Sequence, residues 1–381
     1  MKWRSTASNS GFDPSPLGSC KTACCVSLED RRLRRQIPTT RHLVVPSPRR
    51  KRIRSCPRMR THSSHLILSL LLLPQAPPTE PPSAVSEIVT LNAGDRTLHG
   101  VLYRPVGPGP FAAVLYNHGS APGMLNNQAF EALGPLFASR GWVFFAPYRR
   151  GQGLSASAGP YIGDQIADAR RQRSWQGVAL AVPLLALVWF GVLRRQPTGI
   201  RTITVVAVGL CAAWAIHVGA QRAAASTMVR LLDTEQFADQ LAALEWLQHQ
   251  SVVQPDRIAA AGNSFGGVEA VLGAERAHYC AVIDAAGGAE SWAAAPGLRA
   301  LMEGAVRRAR APIFFIQAEN DYDLSPSRLL AKVMHDVGKD ADVKIYASFG
   351  RSPAEGHSFA WRGGDIWGED VFAFLSKHCG G

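Results

Sequence analysis

Residues 257–267 read RIAAAGNSFGG. An apolar run from Arg257 to Ala261 enters Gly262-Asn263-Ser264-Phe265-Gly266, and a helix-like segment from Gly266 to Glu275 follows. The pentapeptide fits G-x-S-x-G, a turn that holds a serine on a sharp strand-to-helix bend. Gly262, Gly266 and Gly267 let strand and helix approach closely and, with Asn263, leave the Ser264 hydroxyl at the sheet edge. Glycine and serine are common, so the pentapeptide alone is a weak signal. The strand before it and the helix after it make Ser264 a candidate nucleophile, against the plainer reading of a glycine-rich turn.

A serine hydroxyl is barely ionised at neutral pH and needs a base. His357, in Glu355-Gly356-His357-Ser358-Phe359, is expected in a loop between the last strand and the C-terminal helix. There it can take the Ser264 proton and return it to a leaving group. A carboxylate should orient that histidine. The stretch PIFFIQAENDYDLSP, 312–326, is a strand followed by an acidic turn. Asp321 is the preferred acid, with Asp323 and then Glu319 as alternatives. An oxyanion needs two donors. The N–H of Phe265 is one; the turn Asn117-His118-Gly119-Ser120 after an apolar strand offers Ser120, then Gly119, as the second. His118 is expected to orient this turn through a hydrogen bond.

Around these residues, strands alternate with helices. Glu87 to Leu91 and Leu98 to Tyr103 suggest a leading antiparallel hairpin. Apolar runs follow at Phe111 to Tyr116, Trp142 to Ala146, Arg257 to Ala261, Ala281 to Asp284 and Ile313 to Ile316, with Val343 to Ala347 last. Helix-like stretches at Asn127 to Ser139, Thr234 to Gln248, Gly266 to Glu275, Ser327 to His335 and Phe372 to His378 separate or follow them. Asp233 is placed to cap the second, whose apolar stripe is Phe237, Leu241, Leu244 and Leu247. The alternation predicts an α/β fold with a mostly parallel central sheet flanked by helices.

Together, NHGS at 117–120, YRRGQGLS at 148–155, GNSFGG at 262–267, QAENDYDLSP at 317–326 and EGH at 355–357 resemble the α/β-hydrolase superfamily, in its dienelactone hydrolase and prolyl-oligopeptidase-like branch. The resemblance covers residues 85–381 apart from an insert near 174–222. It implies an α/β-hydrolase fold and cleavage of a small acyl substrate through an acyl-enzyme, without metal or cofactor. It also implies Ser264, Asp321 and His357 as a triad, with Tyr148 and Arg149 lining the site beside the oxyanion turn. Dienelactone hydrolase proper carries cysteine where this chain has Ser264, so a different ester is expected. No propeller-like repeat precedes the domain, so an oligopeptidase-type gate is not expected.

The insert contains two nearly continuous apolar stretches, 178–193 and 203–220, separated by Arg194, Arg195 and Arg201. It reads either as a membrane hairpin near the lower length limit or as a lid or buried helical pair. Either favours greasy substrates.

The formal net charge of +12 lies wholly in residues 1–60, which hold 15 Lys or Arg against 3 Asp or Glu. A nucleic-acid-binding catalytic domain is therefore not expected. Residues 1–58 read as a basic extension, disordered or translated from a start placed too early. Residues 59–84 have the order of a signal peptide or anchor. Export or membrane association is favoured over a cytoplasmic location. Cys280 and Cys379 are available to pair after export, but their spacing decides nothing. The alternatives to an esterase are a serine peptidase on short peptides, with Arg149 or Arg150 holding a terminus, and a non-catalytic membrane-anchored binding or structural protein.

Overall fold

A computed structural model describes residues 84–191 and 193–380. The expected extension at 1–58 and nearly all of the signal-like segment at 59–84 lie outside them.

Among the described residues eight strands form one sheet: β1 (Ala84–Ala93), β2 (Arg96–Pro105), β3 (Phe111–Asn117), β4 (Trp142–Pro147), β5 (Val253–Asn263), β6 (Val282–Ala285), β7 (Ile313–Ala318) and β8 (Ala341–Tyr346). Their order is β1-β2-β4-β3-β5-β6-β7-β8. β1 and β2 are the leading antiparallel hairpin, turning at Gly94, and β2 runs antiparallel to β4. Every other pairing is parallel, as crossover helices require. Successive side chains of a strand point to opposite faces. Leu115, Phe145 and Phe315 accordingly enter the core on one face, and their neighbours Val114, Phe144 and Phe314 the core on the other. This two-faced burial is why the inner strands read as unbroken apolar runs.

The expected helices appear as α1 (Asn127–Ser139), α4 (Phe237–Gln248), α5 (Phe265–Arg276), α7 (Ser325–Asp336) and α9 (Gly364–Cys379), the last starting earlier than expected. Asp233 does not cap α4. A π-helical turn, Leu232–Gln236, joins α4 to the preceding helix without a break, and Asp233 pairs with Arg276 at 2.6 Å. Leu241 is exposed, unlike the rest of its expected stripe. Helix α6 (Pro296–Arg308) was not anticipated: only Leu298, Met302, Ala305 and Val306 of its residues are buried, among several arginines.

His357 lies on a helix, α8 (Pro353–Arg362), and not in a loop. Pro353 and Gly356 look like turn residues, but Pro suits the first helical position. Ser352 and Glu355 form a capping box that starts the helix: Ser352 Oγ accepts from the Glu355 N–H at 3.2 Å, and Glu355 Oε2 accepts from the Ser352 N–H at 3.0 Å.

The insert is a helical hairpin longer than expected. Its arms are α2 (Ile162–Gly191) and α3 (Thr198–Leu231). The arms pack closely where Gly177 faces Ile216; a Cβ on Gly177 would stand 2.7 Å from the Ile216 side chain. Both helices are long and apolar enough to cross a membrane, with mean hydropathy 2.1 and 2.0 over their most apolar stretches. Leu180 and Leu187 are each 71% exposed and Leu210 67%, which excludes a buried helical pair. Cys280 and Cys379 form a disulfide that ties the end of α9 to the start of β6, with Cα atoms 5.0 Å apart.

Candidate active site

β5 delivers Ser264 at the C-terminal edge of the sheet, at its centre. The residue adopts φ 55°, ψ −115°, one of two non-glycine residues with positive φ among those described. Such backbone strain persists only where the surroundings enforce it. Here they do: the Ser264 N–H donates to Ala285 O at 3.0 Å, and Ser264 O accepts from the Gly267 N–H at 3.1 Å. The flanking glycines are required by contact. A Cβ on Gly262 would stand 2.1 Å from Gly266 O, and one on Gly266 would stand 1.9 Å from Asn117 O.

The latter contact shows that the 117–120 turn lies directly against the bend. Gly119 approaches the Asn263 side chain, whose Oδ1 accepts from the Tyr116 hydroxyl at 2.7 Å. Behind the turn, His118 is fully buried. Its Nδ1–H donates to Gly119 O at 2.7 Å, which leaves Nε2 to accept from the Arg149 N–H at 3.3 Å. Burial and the neighbouring Arg149 guanidinium hold His118 well below the ordinary histidine range, so it stays neutral. Arg149 Nη2 donates to the same Gly119 carbonyl at 2.9 Å, and its Nη1 donates to Glu269 on α5. One buried arginine thus links the 117–120 turn to the helix that follows Ser264. Burial raises Glu269 to about 7, against the opposing pull of Arg149.

Tyr148 and Arg149 therefore stand behind the turn and do not line the site. Tyr148 is buried and its hydroxyl donates to Asn127. Arg150 is likewise buried, bonded to Asp239 at 2.9 and 2.5 Å. Neither arginine is free to hold a peptide terminus.

The acidic turn after β7 brings one carboxylate to His357. The His357 Nδ1–H donates to Asp321 Oδ1 at 2.8 Å. Asp321 Oδ1 also accepts from the Tyr322 N–H at 2.6 Å and its Oδ2 from Gln317 Nε2 at 3.0 Å, and its side chain is wholly buried. Asp323 faces elsewhere, accepting from the Ser325 N–H at 2.8 Å at the start of α7. Glu319 is exposed. With Nδ1 committed to Asp321, His357 presents Nε2, which is buried without a hydrogen-bond partner among the described residues. Ser264, His357, Gly119 and Ser120 border one cavity of about 340 Å³.

Several neighbours escaped the sequence. Glu269 sits in the apolar run Gly267-Val268-Glu269-Ala270-Val271, a placement that signals a buried pair without naming its partner. Tyr161, whose hydroxyl donates to Ser120 O, and Trp361, on the cavity wall, carried no signal. Among the described residues no cluster of His, Cys, Asp and Glu suits a metal ion.

No curated protein matches the chain. Solved structures do. An acylaminoacyl peptidase from Pyrococcus horikoshii is 16% identical, with TM-score 0.48 over 77% of this chain and 42% of its own. A Pyrococcus furiosus esterase is 13% identical, with TM-score 0.49 over 81% and 97%. A puromycin-hydrolyzing peptidase from Mycobacterium tuberculosis is 14% identical, with TM-score 0.46 over 78% and 40%. The chain thus spans about two fifths of the length of these two peptidases. The dienelactone hydrolase family model matches residues 99–371, and with Ser264 on its bend and the sheet that carries it, the chain belongs to the dienelactone hydrolase family.

Proposed function

We propose that the protein is a serine hydrolase that cleaves carboxylic esters through an acyl-enzyme. The observation that carries this is the Asp321–His357 hydrogen bond of 2.8 Å beside the strained Ser264, with the unpartnered His357 Nε2 and Ser264 on one cavity. In this mechanism His357 Nε2 takes the Ser264 proton as Oγ attacks the ester carbonyl. The N–H groups of Phe265 and Ser120 stabilise the oxyanion. His357 then protonates the departing alcohol, and a water deprotonated by the same Nε2 releases the acid. Asp321 keeps Nδ1 protonated and stabilises the imidazolium. Asp323 has no part in it. The burial of Arg149 and Arg150 in ion pairs favours esters over short peptides, because neither can receive a terminal charge.

A fluorophosphonate probe should label the wild type and fail on Ser264→Ala. Labelling that survives the change refutes Ser264 as nucleophile; a folded wild type that takes no label supports a non-catalytic binding protein.

The hairpin is proposed to cross a bilayer. Twenty uncharged residues separate Arg173 from Arg194, and twenty more separate Arg201 from Arg222. At 1.5 Å per residue each is about 30 Å long, the thickness of the hydrocarbon core. The Cys280–Cys379 disulfide favours an oxidising compartment for the hydrolase domain. Both arms return to that domain, so Arg194 and Arg195 would lie on the side opposite it; Arg173 and Arg222 flank the domain-side ends of the arms as Arg194 and Arg201 flank the tip, so the positive-inside rule does not orient the hairpin. Retention in the membrane fraction after alkaline carbonate washing tests this; release by high salt alone counts against it.

A further inference from the structure

Ser264 stands at the junction of two cavities. The larger, about 340 Å³, includes His357 and Trp361. The smaller, about 110 Å³, is walled by Ile166, Met228, Leu232, Phe265 and Leu298. Ser120, Ser264 and Glu290 border both. Ile166 belongs to the root of one hairpin arm, Met228 to the root of the other, and Leu232 to the π-helical turn below it. The insert therefore builds one wall of the smaller cavity. Turns of this kind recur at functional sites because they redirect a helix locally.

Acyl transfer decides which half of an ester enters which cavity. A bond forms from Ser264 Oγ to the carbonyl carbon, and the Oγ proton passes to His357 Nε2. The bond from that carbon to the alcohol oxygen then breaks, and the oxygen takes the proton from Nε2. The alcohol must lie on the His357 side, in the larger cavity. The acyl chain leaves the carbonyl carbon on the other side, past Phe265. We infer that the smaller cavity is the acyl subsite, and that Ile166, Met228 and Leu232 at the hairpin roots set the length of acyl group accepted. This rests on the ester-hydrolase reading above. A water-sized unit occupies about 30 Å³, so the cavity suits an unbranched apolar chain of about four carbons. Besides Ser120 and Ser264, at the reacting end, its polar lining residues are Glu290 and Ser291; Ile162, Ile166, Met228, Leu232, Phe265, Val268 and Leu298 supply the apolar wall.

The test uses the full chain in detergent and p-nitrophenyl esters from acetate to decanoate. For the wild type, kcat/KM should rise about fourfold per methylene up to butyrate and fall beyond hexanoate. Leu232→Trp, which fills the cavity, should lower the butyrate-to-acetate ratio about tenfold. Met228→Ala, which deepens it, should move the optimum to longer chains and keeps the test available if the tryptophan variant fails to fold. Selectivity among acetate esters of phenol, p-nitrophenol and naphthol should move less than about threefold in both variants. An acyl optimum unmoved in both, or a shift in alcohol selectivity instead, overturns the assignment. Ser264→Ala separates the two levels. If it abolishes turnover while the acyl profile ignores Leu232 and Met228, only the subsite falls. If turnover survives it, the hydrolase reading falls and takes the subsite with it.

Discussion

Asp284, at the end of β6, is fully buried, has no cationic partner among the described residues, and lies beneath the helix that follows Ser264. Its Oδ1 accepts from the Gly287 N–H at 2.8 Å, while its Oδ2 has no hydrogen-bond partner among the described residues. A Cβ on Gly267 would stand 2.3 Å from Oδ1, so the carboxyl is packed against the start of α5. Burial raises its pKa from 3.8 to about 7, only partly opposed by the Gly287 N–H. Because the folded value lies above the unfolded one, the unfolded chain releases this proton first. The stabilisation is complete below pH 4 and is lost as pH rises through about 7. At 1.36 kcal/mol per unit the loss amounts to about 4 kcal/mol. Asp284→Asn keeps the shape and an acceptor for Gly287 but cannot ionise. Relative to wild type it should therefore gain about 4 kcal/mol between pH 4 and pH 8, whatever its offset at pH 4. At about 2 °C per kcal/mol for a domain of this size, the difference in Tm should shift by about 8 °C. Thermal unfolding followed by circular dichroism in detergent at pH 4, 5.5, 7 and 8 measures it. A difference that stays constant across the range would refute the reasoning.

Asp321→Asn should lower kcat/KM by about 10³ to 10⁴ without unfolding the protein, whereas Asp323→Asn should stay within about threefold; steady-state ester hydrolysis compares them. Gly266→Ala should abolish fluorophosphonate labelling, since its Cβ would fall 1.9 Å from Asn117 O and force the 117–120 turn away. Arg149→Met leaves Glu269 buried without its cation and should cost about 3–5 kcal/mol in urea unfolding above pH 7, and less as pH falls through about 7, where Glu269 takes up a proton. Reducing the Cys280–Cys379 disulfide, which closes a 99-residue separation, should lower stability by about 4–5 kcal/mol, read as a fall in Tm with dithiothreitol.

The sharp bend at Ser264 was legible because its requirements are local: a strand, small residues around a serine, and a helix within eleven positions. The alternation of strands and helices was legible for the same reason, since two-faced burial leaves unbroken apolar runs. Helix α6 hid because only Leu298, Met302, Ala305 and Val306 of its residues are buried, and the helix under His357 hid behind Pro353 and Gly356. In the second case the capping pair Ser352 and Glu355 was already present in the text.

By itself the sequence determined the fold class, the strained serine and the apolar hairpin, because each depends on residues close together in the chain. Only the tertiary structure decided what depends on direction and on distant meetings. Asp321 and Asp323 are two residues apart in one turn, yet only Asp321 turns its carboxylate to His357. Arg149 meets Glu269 across 120 positions, which turned an expected site-lining arginine into a buried brace. The hairpin roots reach Ser264 only because α2 and α3 leave and re-enter the domain beside α5. Packing in three dimensions sets such contacts, and spacing along one chain does not record them.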